Sequence, residues 1–119
     1  MFNFEKLEVW QKAIDFADIV YDRTQNFTSD KRFGLTNQMR RAAVAISSNI
    51  AEGSSRSSKN DFGRFVEIAT GSVFEVASQA FLGRRRGFLS EEDFRTLYEA
   101  AEEQSRMLSG LRKFLLESE

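Results

Sequence analysis

The sequence predicts an all-α chain folded as one antiparallel up-down-up-down four-helix bundle. Three observations carry that reading. Four segments place apolar residues at alternating spacings of 3 and 4, which puts them on one stripe of a helix. No proline interrupts the chain, and no segment alternates apolar and polar residues long enough to argue a strand. At 119 residues the chain is long enough for one domain, residues 1–119, and too short for two ordinary ones.

The first helix is expected over about residues 5–25, with a seam of Leu7, Trp10, Ile14, Ala17 and Tyr21. Asn26 to Asp30 breaks its pattern. The second is expected over 34–52, with Leu35, Met39, Ala42, Ile46 and Asn49 inside, and a seam Asn often fixes register. The third, over 59–86, carries Phe62, Phe65, Ala69, Val73, Val76 and Ala80. The fourth, over 91–116, carries Phe94, Leu97, Ala101, Gln104, Leu108, Leu111 and Leu115. Ser58 and Ser90 stand where hydroxyl caps belong, each with an acidic residue at the third helical position. Gly53 and Gly87 stand just past the second and third helices, where a left-handed cap is wanted. Short connections between long helices favour antiparallel neighbours.

Composition excludes most catalysis. The chain has no Cys and no His, so thiolate nucleophiles, zinc-thiolate sites and the commonest general base are gone. Carboxylate di-iron bundles need Glu-x-x-His on two helices, and that chemistry is lost with the histidines. The glycines are dispersed and form no phosphate-cradling loop. The expectation is no enzyme, no metal and no cofactor. No stretch approaches the roughly 18 apolar residues of a spanning helix, and the first residues lack a basic region followed by an apolar run. The expected compartment is the cytoplasm, with no membrane partner.

One bundle core needs one stripe per helix, and the first helix has two. Val9, Ala13, Phe16 and Val20 lie about 110° from its seam. Phe74 and Phe81 stand well away from the third helix's seam. Arg41, Ala45, Ser48 and Glu52 form an outward line on the second helix, mostly of small side chains. Contiguous apolar faces outside a core mark interfaces. These residues are therefore the candidate contacts of a homo-oligomer.

The near-zero formal charge of −1 conceals an uneven distribution. Residues 31–86 hold 10 basic and 4 acidic side chains, and both flanking segments are acidic. In an up-down bundle Lys31, Arg32, Arg84, Arg85 and Arg86 gather at one end. Arg56 and Lys59 lie at the other, with Arg40 and Arg41 along the second helix. These nine cations are the candidate contacts to RNA or DNA phosphates. Cations at a helix C-terminus are also favoured by its dipole, and acidic neighbours stand at the same end. No reading helix, RNA-binding motif or aromatic-stacking platform is legible.

Three stretches carry a family resemblance. Leu7-Glu8-Val9-Trp10-Gln11-Lys12-Ala13 opens the chain. Gln38-Met39-Arg40-Arg41 then leads to Ser48-Asn49-Ile50-Ala51-Glu52-Gly53. Phe62-Gly63-Arg64-Phe65-Val66-Glu67 follows. Together they resemble the bacterial four-helix-bundle family encoded in intervening sequences of 23S ribosomal RNA genes. The likeness covers roughly residues 4–90, and the fourth helix matches only in pattern. It implies assembly into a ring-like homo-oligomer, typically a pentamer. More distantly the chain is similar to the accessory protein of diversity-generating retroelements, a basic pentamer that works with a reverse transcriptase and nucleic acid. The family usually has Pro where Thr28 stands, and often Ser and Pro where Ala45 and Ser47 stand. Arg84-Arg85-Arg86 lies outside the family pattern. The function read from the sequence is a non-enzymatic oligomeric scaffold or accessory factor for nucleic acid or a partner that processes it. The alternative is a self-assembling interaction module with no nucleic-acid role.

Overall fold

The computed structural model describes residues 1–27 and 29–117, with side chains from 29 to 33 left out. A short 3-10 turn, Asn3–Lys6, leads into four helices: α1 (Glu8–Thr24), α2 (Ser29–Ser54), α3 (Lys59–Arg85) and α4 (Glu91–Glu117). No strand occurs among the described residues. The molecule is a rod of 48 × 23 × 19 Å. A helix of about 27 residues is about 40 Å long at 1.5 Å per residue, so the three long helices set the rod's length.

The caps explain where the helices begin and end. Ser58 Oγ accepts the Asp61 amide at 3.0 Å, and Ser90 Oγ accepts the Asp93 amide at 3.0 Å. The end of α3 is a left-handed turn at Gly87, with φ of 77°. There the Phe88 amide donates to the Gly83 carbonyl at 2.8 Å, and the Gly87 amide to that of Arg84 at 3.0 Å.

Two boundaries depart from the sequence reading. Helix α2 starts at Ser29, five residues before Gly34, and runs through Gly53 to Ser54. Nothing between Ser29 and Gly34 forbids a helix, and one interior glycine costs only about 1 kcal/mol. Gly53 is not a left-handed cap, because Gly87 is the positive-φ glycine among the described residues. Its missing side chain serves packing instead. A β-carbon there would lie 2.7 Å from Phe65 Cβ, so α2 meets α3 almost backbone to backbone. Gly83 leaves room for the Leu89 side chain, which would lie 3.1 Å from a β-carbon there, and Leu35 of α2 would lie 3.8 Å away.

Each helix packs against its neighbours in sequence, and α4 closes against α1. The diagonal pairs α1/α3 and α2/α4 make no backbone approach among the described residues. Contacts run in opposite sense along neighbouring helices. Gly53 meets Phe65 whereas Leu35 meets Gly83. Arg23 meets Asp93 whereas Lys12 meets Glu103. Glu67 meets Arg112 whereas Phe81 meets Phe94.

The core is a column of apolar side chains. Helix α2 gives Met39, Ala42, Ala43, Ile46 and Ile50, and α3 gives Val66, Ala69, Val73, Val76 and Ala80. Helix α4 gives Phe94, Leu97, Ala101, Leu108 and Leu115, the stripe its spacing predicts apart from half-buried Leu111. Buried Gln104 spends its amide on the Val9 carbonyl, 3.2 Å away on α1. One end is closed by Phe27 and Phe88, ring centroids 5.7 Å apart, and by buried Leu89.

Helix α1 is turned relative to expectation. Val9, Ala13, Phe16 and Val20 are at most 7% exposed and form its core face. They are not oligomer contacts. The expected seam is the outer one: Ile14 and Tyr21 are 42% and 43% exposed, and Trp10 and Ala17 are half-buried. The two stripes are adjacent and both apolar, so periodicity ranks them equally. Polar atoms separate them. Burying Trp10 and Tyr21 would strand an indole N–H and a phenol, whereas the Val9 stripe has nothing to strand.

Candidate functional site

The nine candidate cations divide by what their charged groups already do. Arg40 is a structural clasp. Its Nε donates to Thr24 Oγ1 at 3.0 Å and its Nη2 to the Tyr21 carbonyl at 3.2 Å. Its guanidinium also lies 4.6 Å from the Tyr21 ring centre. It therefore ties the last turn of α1 to α2 and satisfies a carbonyl that helix geometry leaves open. Arg84 is similarly engaged. It sits 3.8 Å from the Phe94 ring centre and 5.3 Å from that of Phe81, and reaches Glu91 at 3.4 Å. Arg56 covers the Phe65 ring at 4.7 Å and meets Glu52 at 4.0 Å. Lys59 Nζ lies 6.0 Å from the Phe114 ring centre.

Arg41, Arg85 and Arg86 are exposed and make no ion pair among the described residues. Leu35 lies beside Gly83, which brings the C-terminal turn of α3 next to the early turns of α2. Arg41 is six residues beyond Leu35, about 9 Å along the axis. Arg85 and Arg86 therefore stand at one end of the rod, and Arg41 near the middle of α2. The side chains of Lys31 and Arg32 lie outside the described residues.

On the candidate interface, Arg41, Ser48 and Glu52 are exposed and Ala45 is half-buried, as an outward line requires. Glu52 pairs with Arg56 rather than with Arg41. Asn49 sets no register between helices, since its amide donates to the Ala45 carbonyl of its own helix at 2.8 Å. Phe74 and Phe81 are 64% and 46% exposed, so both rings stand outside the core. The sequence reading missed Tyr98, which meets Phe81 at 6.1 Å in an edge-to-face pair. Its signal was the four-residue spacing from Phe94, hidden because the search followed only the core seam. Val44, 42% exposed between Arg41 and Ser48, escaped for the same reason.

The surface hollows are shallow. The one lined by Val73, Phe74, Ala77, Tyr98, Ala101 and Glu102 holds about 180 Å³, and wider ones beside Phe81 and Arg85 and beside Glu99 and Arg106 hold about 540 and 500 Å³, each open to solvent. No group of three Asp or Glu side chains is placed to hold a metal ion among the described residues. No described helix is long and apolar enough to cross a membrane.

Comparison with known proteins agrees with this architecture. A crystal structure from Bacteroides thetaiotaomicron VPI-5482, described as a protein with unknown function from the S23 ribosomal protein family, superposes with a TM-score of 0.81. It is 22% identical, over 88% of this chain and 98% of that one, which is a likeness of fold. No curated protein matches. Residues 5–110 match the family described as 23S rRNA-intervening sequence protein. With nearly the whole bundle inside that match, from the 3-10 turn into the last turns of α4, the chain belongs to the 23S rRNA-intervening sequence protein family.

Proposed function

We propose that this chain is a non-enzymatic, self-assembling up-down-up-down bundle of the cytoplasm. It serves as a scaffold or accessory factor on nucleic acid or on a partner that processes it. The observation that carries the proposal is the set of free cations. Arg41, Arg85 and Arg86 are exposed without ion pairs among the described residues, while most other arginines have an acidic or aromatic neighbour. Cations with no internal partner are the ones that can release counterions from a phosphate backbone. The reversed order of contacts between neighbouring helices supports the up-down topology. For self-assembly we assign the face that carries Ile14, Tyr21 and Val44, each more than two-fifths exposed.

The test is fluorescence anisotropy of labelled RNA and DNA oligonucleotides against a salt series. Affinity should fall steeply with salt, and Arg85→Glu with Arg86→Glu should flatten the log–log slope by about 2 per bound subunit. An unchanged slope would remove this patch from the proposal. The engagement of Arg40, Arg56 and Arg84 inside the fold favours one second reading, an interaction module with no nucleic-acid role. Absence of binding even at low salt would select it. A stable monomer in light scattering at micromolar concentration would overturn self-assembly.

A further inference from the structure

We propose that the α3–α4 face is a stacking surface for single-stranded nucleic acid, with Phe74, Phe81 and Tyr98 as its base-contacting rings and Arg85 as its phosphate contact. This rests on the nucleic-acid reading above and names the strand form it takes.

Four observations converge on it. First, three large aromatic side chains stand half-exposed along this face, with Leu82 beside Phe81. Phe74 is 64%, Phe81 46% and Tyr98 36% exposed. A surface that receives bases offers flat rings. Second, the Phe81 and Tyr98 rings are held in place. Phe81 packs edge-on against Phe94 at 4.9 Å and against Tyr98 at 6.1 Å, and Phe94 itself is only 4% exposed. Third, Phe74 follows the same side of α3 two turns before Phe81, about 10 Å along the axis, so an extended strand laid along the groove meets the rings in succession. Fourth, the charge fits. Arg85 is one turn beyond Phe81, lines the same surface hollow and makes no ion pair among the described residues. Arg84 stands beside it over the Phe81 and Phe94 rings.

Glu102 is the opposing charge. It lines the hollow beside Phe74 and Tyr98 and would repel a phosphate there. The sugar–phosphate backbone is thereby held to the Arg85 side of the groove, with the bases turned toward the rings. A duplex hides its base faces and gains only the phosphate term, so it should bind less well.

The experiment uses the full chain, a labelled uridine homopolymer of about 20 nucleotides, its DNA counterpart, and a duplex of equal length. Wild type should hold the single strands about tenfold more tightly than the duplex. Phe74→Ala should weaken single-strand binding about tenfold and leave duplex binding unchanged, whereas Phe74→Tyr should restore it. Glu102→Gln should tighten single-strand binding. Circular dichroism melting and sedimentation of each variant without oligonucleotide accompany the titrations. Equal binding of both strand forms that still responds to Arg85→Glu with Arg86→Glu would overturn the stacking surface and leave the proposed function standing. A change in subunit number caused by Phe74→Ala alone would show that a second copy covers the ring, and would also overturn it. Failure of wild type to bind either form would remove both readings. If Phe74→Ala fails to fold, a single-strand preference that survives Tyr98→Ala would refute the inference.

Discussion

Gly53 offers a sharp test of the packing. A β-carbon on residue 53 would sit 2.7 Å from Phe65 Cβ and 2.9 Å from Phe62 Cδ1. The ring of Phe62 can swing aside, but Phe65 Cβ is fixed to the backbone of α3. Carbon pairs are comfortable at about 3.5–4.0 Å, so Gly53→Ala must part α2 and α3 by about 1 Å. Overpacking of that kind costs about 1–3 kcal/mol. Alanine's better helix propensity returns about 1 kcal/mol. The net expectation is a loss of up to about 2 kcal/mol. Gly71 is the control, because it is exposed within α3 and a β-carbon there meets nothing within 4 Å. Gly71→Ala should therefore gain up to about 1 kcal/mol. The same chemical change is expected to have opposite signs at the two sites, and urea unfolding followed by circular dichroism reads both. Gly53→Asn separates packing from capping. Asparagine suits a left-handed cap but is larger, so it should destabilise more than alanine. A Gly53→Ala variant stabilised as much as Gly71→Ala would refute the close approach of α2 to α3.

Three further outcomes follow from individual contacts. Arg40→Met should lose about 1–2 kcal/mol in thermal melts, because two hydrogen bonds to the end of α1 disappear; unchanged stability would show the clasp to be idle. Arg84→Gln should cost about 1 kcal/mol whereas Arg85→Gln stays within about 0.5 kcal/mol, and equal losses would contradict the division between engaged and free cations. Ser58→Ala and Ser90→Ala should each cost about 1 kcal/mol, and the double variant should show the sum because the caps serve different helices.

The readable parts of this fold were those with a local cause. Ser58, Ser90 and Gly87 mark helix ends through bonds made within a few residues, and each stands at the expected boundary. The seam of α4 was legible because a polar outer face leaves one choice of inside. Helix α1 was not, because Val9, Ala13, Phe16 and Val20 compete with an equally apolar neighbouring stripe. That choice is made by helices distant in sequence. Gly53 was misread for a related reason, since a glycine that permits a turn and one that permits contact look alike until the partner residue is known. The candidate site divided in the same way. The positions of the cations were visible in the sequence, but their engagement was not. Arg40 and Arg41 are adjacent in the chain, yet one closes a helix end and the other faces solvent.

The short first helix has a consequence for motion. Helix α1 has 17 residues against 26 or 27 in its neighbours. Its ties to α4 include two half-exposed ion pairs and the Gln104 bond, and exposed ion pairs contribute little. By contrast, α2 and α3 are pressed together at Gly53. Hydrogen exchange should therefore be graded across the rod. Amides of α2 and α3 should exchange only when the whole molecule unfolds, while those of α1 should also exchange through a partial opening in which that helix lifts away. Each such event would uncover the stripe of Val9, Ala13, Phe16 and Val20, a surface the closed bundle never shows.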